Sequence, residues 1–302
     1  MSGLRQARVL ALCGVAALIF APLAHARAFP SPDAAIDALV AAVRADNPRA
    51  IEGVLGTDSG ALVESGDAVS DKADRAAFVK LYDAKHEIER NGAAVTLVVG
   101  SDNRPFPIPL HEVKGRWLFD LSVAREGILN RRVGRNELNA IEVCRAIVEA
   151  ERDYASGNRN GVAEYAAKFM SDPGKRNGLY WPTDAGEPQS PLGPLVATAR
   201  AQGYNGHHEP YHGYFYKILL RQGPHAPGGS RDYVVKGHMI GGFAIVAWPA
   251  KWGDSGVMTF LVDQGGVVMQ RNLGPNSARV AAAMTRYDPD AGWKPAEAAP
   301  AK

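Results

Sequence analysis

The sequence predicts an α+β protein of two domains, each with helices packed on a mainly antiparallel sheet. Three observations predict it. Apolar residues recur at helical spacing in each half, at Ile36, Leu39, Val40 and Val43, then at Leu138, Ile141, Cys144, Ile147 and Val148. Alternating strand patterns follow those helices, with turn signals such as Asn91-Gly92 between them. The pattern changes near residue 125 of a 302-residue chain, near the size at which one core gives way to two.

Residues 1–26 read as a secretory signal peptide. Arg5 and Arg8, with no acid, precede an apolar run over 9–23, and Ala24-His25-Ala26 fits signal peptidase. Ala26-Arg27-Ala28 offers a second cut. A bilayer needs about 20 apolar residues, more than this run supplies. The expected location is therefore periplasmic or secreted, with no membrane span after cleavage.

The first domain is expected over residues 29–125. Ser31 and Pro32 start a helix over 34–45, as cap and first-turn proline. A second helix follows Pro48 and stops at Gly56, and a third begins near Asp71 and carries Phe78, Leu81 and Tyr82. Strands then run through Ile88, through Val95, Leu97 and Val99, and through Trp117 to Asp120. Pro105, Pro107 and Pro109 remove backbone donors, so the stretch holding Phe106, Ile108 and Leu110 should be an edge or irregular.

The second domain is expected over 130–292, opening with a helix at 136–154 whose wide apolar face asks for burial. A second helix is expected to hold Val162, Tyr165, Phe169 and Met170. Residues 171–210 are rich in Pro, Gly and Asn and read as irregular, with a short helix at 192–202. Strands are expected at 214–220, 232–236, 243–248, 257–262 and 267–271, then a short helix at 276–284. Residues 293–302 read as a disordered tail.

Charge excludes one class of function. The chain has 34 basic and 32 acidic residues, and cutting after Ala26 leaves 32 of each. A neutral chain without Lys/Arg runs predicts no nucleic-acid partner. The cut also removes Cys13 and leaves Cys144 alone, so no internal disulfide is expected.

Most familiar catalytic patterns are missing. There is no G-x-S-x-G, S-x-x-K, G-x-x-x-x-G-K or G-x-G-x-x-G, and the H-E-x-x-H match at His208-Glu209-Pro210-Tyr211-His212 carries a proline inside it. Asp67, Asp71 and Asp74 lack the spacing of a calcium loop, and Asp71 reads as a helix cap. Pro227-Gly228-Gly229-Ser230 reads as a flexible turn between strands. No cofactor and no metal are expected. His207, His208, Glu209 and His212 lie close together, but Gly206 and Pro210 argue against the helix that would align two rings on a metal. Aromatic residues gather nearby, and they give large contact area at low entropy cost. The candidate ligand or partner surface is therefore His208, His212, Tyr214, Trp248, Trp252 and Asp254.

Longer motifs carry a resemblance. His212-Gly213-Tyr214-Phe215-Tyr216-Lys217-Ile218-Leu219, Gly241-Gly242-Phe243-Ala244, Ala247-Trp248-Pro249-Ala250, Gly256-Val257-Met258-Thr259-Phe260, Leu273-Gly274-Pro275, Gly134-Arg135-Asn136-Glu137-Leu138 and Trp117-Leu118-Phe119-Asp120 resemble the bacterial family catalogued as domain of unknown function 2950. The resemblance implies an exported protein and supplies no activity. The first domain also looks like NTF2-like or cystatin-like folds, and the second like a type IV pilin-like head. Charges at Arg125, Glu126, Arg131, Arg132 and Arg135 exclude a membrane-inserted pilin helix there.

We expect a non-enzymatic binding or interaction module of the cell envelope, with a protein, peptide or glycan as partner. An envelope hydrolase built on the His208/His212 loop and Asp254 stays open. So does an accessory partner of pilus or secretion machinery.

Overall fold

The computed structural model describes residues 27–157, 161–206 and 209–296. The signal-peptide segment through Ala26, His208, and the tail beyond Ala296 lie outside the described residues. The fold is α+β, with antiparallel sheets.

Helix α1 (Pro32–Arg44) starts where the sequence says it should. Ser31 accepts a hydrogen bond from the Ala34 amide at 3.1 Å and Pro32 opens the first turn. α2 (Pro48–Leu55) is capped by Asn47, buries Ile51, Val54 and Leu55, and ends at Gly56 with φ 108°. After α3 (Gly60–Val63), α4 (Ala68–Ala84) begins from Asp67, whose carboxylate accepts from the Ser70 amide.

The first sheet holds β1 (His86–Asn91), β2 (Ala94–Val99), β3 (Arg104–Pro105), β4 (Leu110–Val113) and β5 (Arg116–Phe119). Its order is β1-β2-β4-β5, with β3 beside β2. The hairpin turn falls at Gly92, φ 60°, as Asn91-Gly92 predicts. The three prolines split the expected strand into β3 and β4, because each removes a ladder donor.

α5 (Arg125–Ser156) runs unbroken for 32 residues, through the expected boundary between 125 and 130. The apolar core nonetheless forms two clusters. One joins α1 and α2 to the first sheet and includes Ala124. The other packs Ile141, Cys144, Ile147 and Val148 of α5 on the second sheet. We call the two an N-terminal and a C-terminal lobe.

α6 (Gly193–Ala201) precedes the second sheet. Its strands are β6 (Tyr214–Leu219), β11 (Ala244–Pro249), β12 (Met258–Asp263), β13 (Met269–Asn272) and β14 (Lys294–Pro295), in the order β14-β13-β12-β11-β6. Two small ribbons branch between β6 and β11: β7 (Arg221–Gln222) with β8 (Arg231–Asp232), and β9 (Val234–Val235) with β10 (His238–Met239). α7 (Ser277–Ala283) lies against β11.

Two details differ from expectation. No helix forms at Val162, Tyr165, Phe169 and Met170. The Tyr165 amide donates to Met239 O at 2.8 Å, the Tyr180 amide to Phe169 O at 2.8 Å, and the Ala166 amide to the Glu151 carboxyl at 2.8 Å. Tertiary partners thus replace the helical hydrogen bonds that the spacing suggests. The chain also stays ordered past 293: Trp293 is buried and β14 pairs with β13. Among the described residues, no helix is long and apolar enough to cross a membrane.

Candidate functional site

The motifs that stand out in the sequence meet where the lobes join. Asp67 is 1% exposed, and its Oδ2 accepts from the Tyr204 hydroxyl and the Gly213 amide, each at 2.8 Å. Asn136 Nδ2 donates to Ser255 O at 2.9 Å. Glu137 Oε1 accepts from the Val257 and Met258 amides, both at 2.9 Å. Gly213 has φ 75°, and a Cβ there would lie 2.6 Å from Asn136 Nδ2, so only glycine fits. These long motifs specify a joint between α5, the 212–214 turn and the 255–258 loop.

The expected surface residues do not gather round one cavity. Tyr214 is fully buried, donates to Met258 O at 2.9 Å, and burial pushes its hydroxyl far above the ordinary range. His212, φ 53°, packs on Tyr211 with ring centroids 4.1 Å apart, and burial pulls its pKa down. Trp248 packs on Phe215. Trp252 is 38% exposed and donates from Nε1 to Asn272 Oδ1 at 3.0 Å. Asp254 lies close enough to Arg132 to act on its charge. Among the described residues, no group of three or more His, Cys, Asp or Glu could hold a metal ion. Cys144 is fully buried, and desolvation pushes its thiol up to about 12, so it stays protonated and unreactive.

A cavity of about 240 Å³ opens instead in the N-terminal lobe. Leu39 and Val43 of α1, Ile51 and Leu55 of α2, and Phe106, Pro107 and Ile108 before β4 form its apolar walls. Two helices bring charge to it. On α4, Asp71, Asp74, Arg75 and Phe78 follow the i, i+3, i+4, i+7 spacing of one helical face. On α5, Ile128 and Arg132 stand one turn apart. The sequence reading of Asp71 as a cap is corrected here: Asp67 caps α4, and Asp71 faces the cavity.

The polar groups are unequally matched. Arg75 pairs with Asp46 at 2.6 Å, and Asp74 pairs with Arg135 at 3.1 Å. Arg132 donates from Nη1 to Ala61 O and from Nη2 to Leu62 O, each at 2.6 Å. A guanidinium has five N–H donors, so those two bonds leave three. Among the described residues Arg132 forms no ion pair; Asp71, Asp74 and Asp254 balance its charge only at longer range. Desolvation therefore lowers its pKa. Asp71 accepts from the Ser65 amide at 2.9 Å. Burial raises its pKa, against the opposing pull of Ser65, Arg132 and Arg75. An apolar chamber with a desolvated guanidinium and a carboxyl at its wall suits an amphipathic guest.

Charged residues beside Phe78 on the helical face 71-74-75-78, and Arg132 one turn from Ile128, were the available sequence signal for this cavity. Their convergence needs the fold. Comparison with curated proteins and with solved structures gives no match. A family model matches residues 26–296, a span that contains every described residue, and the protein therefore belongs to the family described as Protein of unknown function (DUF2950).

Proposed function

We propose that the protein is an exported, non-enzymatic binding protein that takes a small amphipathic ligand into the N-terminal cavity. The observation that carries it is the apolar chamber with Arg132 at its wall, a partly buried guanidinium with donors to spare. A water-sized group occupies about 30 Å³, so the chamber has room for roughly eight. That fits a short acyl or aryl body whose acceptor head meets Arg132. Among the described residues, the cavity wall carries no Ser, Thr, Cys or His. Export is supported by the Arg-rich start, apolar run and Ala-x-Ala of residues 1–26.

Calorimetric titration with octanoate, octanol and octylamine tests the cavity. Octanoate and octanol should bind 1:1 and octylamine most weakly, because its head brings donors to a donor. Ile128→Phe should fill the space and abolish binding while the thermal midpoint holds. No binding by any of the three, or full binding by a folded Ile128→Phe protein, would overturn the proposal. Cell fractionation tests export: the chain should reach the envelope or medium with its N-terminus at Arg27 or Phe29, and cytoplasmic retention of the uncut chain would refute it.

A further inference from the structure

A second concavity, of about 380 Å³, lies in the C-terminal lobe and has a different character. Arg221, Arg231 and Arg286 line it with Ser230, Asp232 and Thr285. The strand register explains why the arginines meet. β7 pairs with β8 on one side and, through a parallel Gln222↔Tyr287 bridge, with residue 287 on the other. Gln222 and Tyr287 are buried at 3% and 4% exposure, so their neighbours Arg221 and Arg286 turn outward side by side. Asp232, opposite Arg221, is 3.6 Å from its guanidinium. Among the described residues Arg231 and Arg286 form no ion pair. Like charges on neighbouring strands oppose folding, and one acid does not offset three arginines.

The loop that sets Arg231 is built rather than slack, which corrects the reading of Pro227-Gly228-Gly229-Ser230 as a flexible turn. Gln222 Nε2 donates to Pro227 O at 2.8 Å and to Gly229 O at 2.6 Å. Asp288 Oδ1 accepts from the His225 amide and stands beside its Nδ1, both at 2.9 Å. A Cβ on Gly223 would lie 2.3 Å from Asp288 Cγ, so the loop closes directly on that carboxylate. Gly228 and Gly229 take φ 83° and 74°, which glycine adopts freely.

We propose that this groove binds the oxyanion of a small phosphate or sulfate, free or as an ester, with Arg221, Arg231 and Arg286 as its ligands. Planar guanidinium groups match such oxyanions with paired hydrogen bonds, and Ser230 and Thr285 add hydroxyl donors. The space exceeds one oxyanion and leaves room for a sugar-sized remainder.

The test is calorimetric titration of the purified protein at low salt with inorganic phosphate, glucose 6-phosphate and glucose. Phosphate and glucose 6-phosphate should bind saturably, and glucose should not. Tighter binding of glucose 6-phosphate identifies an ester as the ligand, and equal binding identifies the free ion. Arg231→Gln and Arg286→Gln should each weaken binding about tenfold at an unchanged thermal midpoint. Asp232→Asn should tighten it by freeing Arg221, a response that a merely structural role would not give. No saturable binding of either anion, equal binding of glucose, or unchanged affinity in the Arg231→Gln/Arg286→Gln double variant would overturn the proposal.

Discussion

The two lobes bury their apolar residues in opposite ways. In the C-terminal lobe, Tyr214, Tyr233, Phe243 and Phe260 are all fully buried between α5, its sheet and the flanking loops. Large rings fill that layer, and Tyr214 even spends its hydroxyl on Met258 O. In the N-terminal lobe, the walls are Leu, Val, Ile and two Phe, and they stop short of one another around about 240 Å³. A core that leaves space gives up dispersion contacts, and under the proposed function a guest occupies that space. On that proposal one lobe is scaffold and the other receptor, with Asp67 tying them together.

The scaffold should be the more fragile to truncation. Phe260 packs 5.6 Å from Tyr214, centroid to centroid, with no exposed surface. Phe260→Ala should cost about 3–5 kcal/mol in urea unfolding, because the close-packed rings cannot collapse into the gap. A loss below about 1 kcal/mol would mean that this core is not close-packed.

The next test concerns Glu151, buried in the same core. Its Oε2 holds the Ala166 amide, while Oε1 has no hydrogen-bond partner among the described residues. Desolvation pushes its carboxyl up to about 8 from an ordinary 4.5. The native state then binds a proton that the unfolded chain has released. Stability is fullest below the unfolded pKa and falls as pH rises toward about 8. The slope should be on the order of 1.4 kcal/mol per pH unit. Glu151→Gln should flatten it; an identical slope in the variant, measured by denaturant titration across that window, would show that the proton resides elsewhere.

Glu151 also shows where sequence reading stops. The Ser31-Pro32 start of α1 and the Asn91-Gly92 hairpin were legible because each is decided by neighbours along the chain. The supposed helix at Val162, Tyr165, Phe169 and Met170 failed because Glu151 and Met239 O take the amides of Ala166 and Tyr165. Propensity is a weak prior against such partners. The long family motifs were equally visible, but their job was not. Asn136, Glu137, Gly213 and Val257 turn out to build a joint, and nothing along the chain says that Asp67 completes it. Asp71 and Arg132 share a cavity only because α4 and α5 bring them to it.

The joint gives a smaller effect. Asp67→Ala strands the Tyr204 hydroxyl and the Gly213 amide, both bonded to Oδ2 in the native protein, and also removes the α4 cap on the Ser70 amide. The expected cost is about 1–3 kcal/mol. Tyr204→Phe, which leaves the Gly213 bond in place, should cost less. Equal losses in the two variants would mean that the Tyr204 bond alone carries the contact.

The smallest change in stability should come from filling the receptor lobe, and it separates the lobes most sharply. Leu39→Phe adds bulk on the α1 wall, at a buried core residue that also lines the cavity. Overpacking a full core costs about 1–3 kcal/mol, whereas a substitution that occupies existing room should stay below that range. The same enlargement in the scaffold, Val246→Phe on β11, has no such room, since Val246 is fully buried between β6 and β12. It should fall within or above that range. Urea midpoints of the two variants give the contrast directly, and octanoate titration of Leu39→Phe reads the guest space independently. Similar losses for both would place the lobes on equal terms and remove the physical reason for calling one of them a receptor.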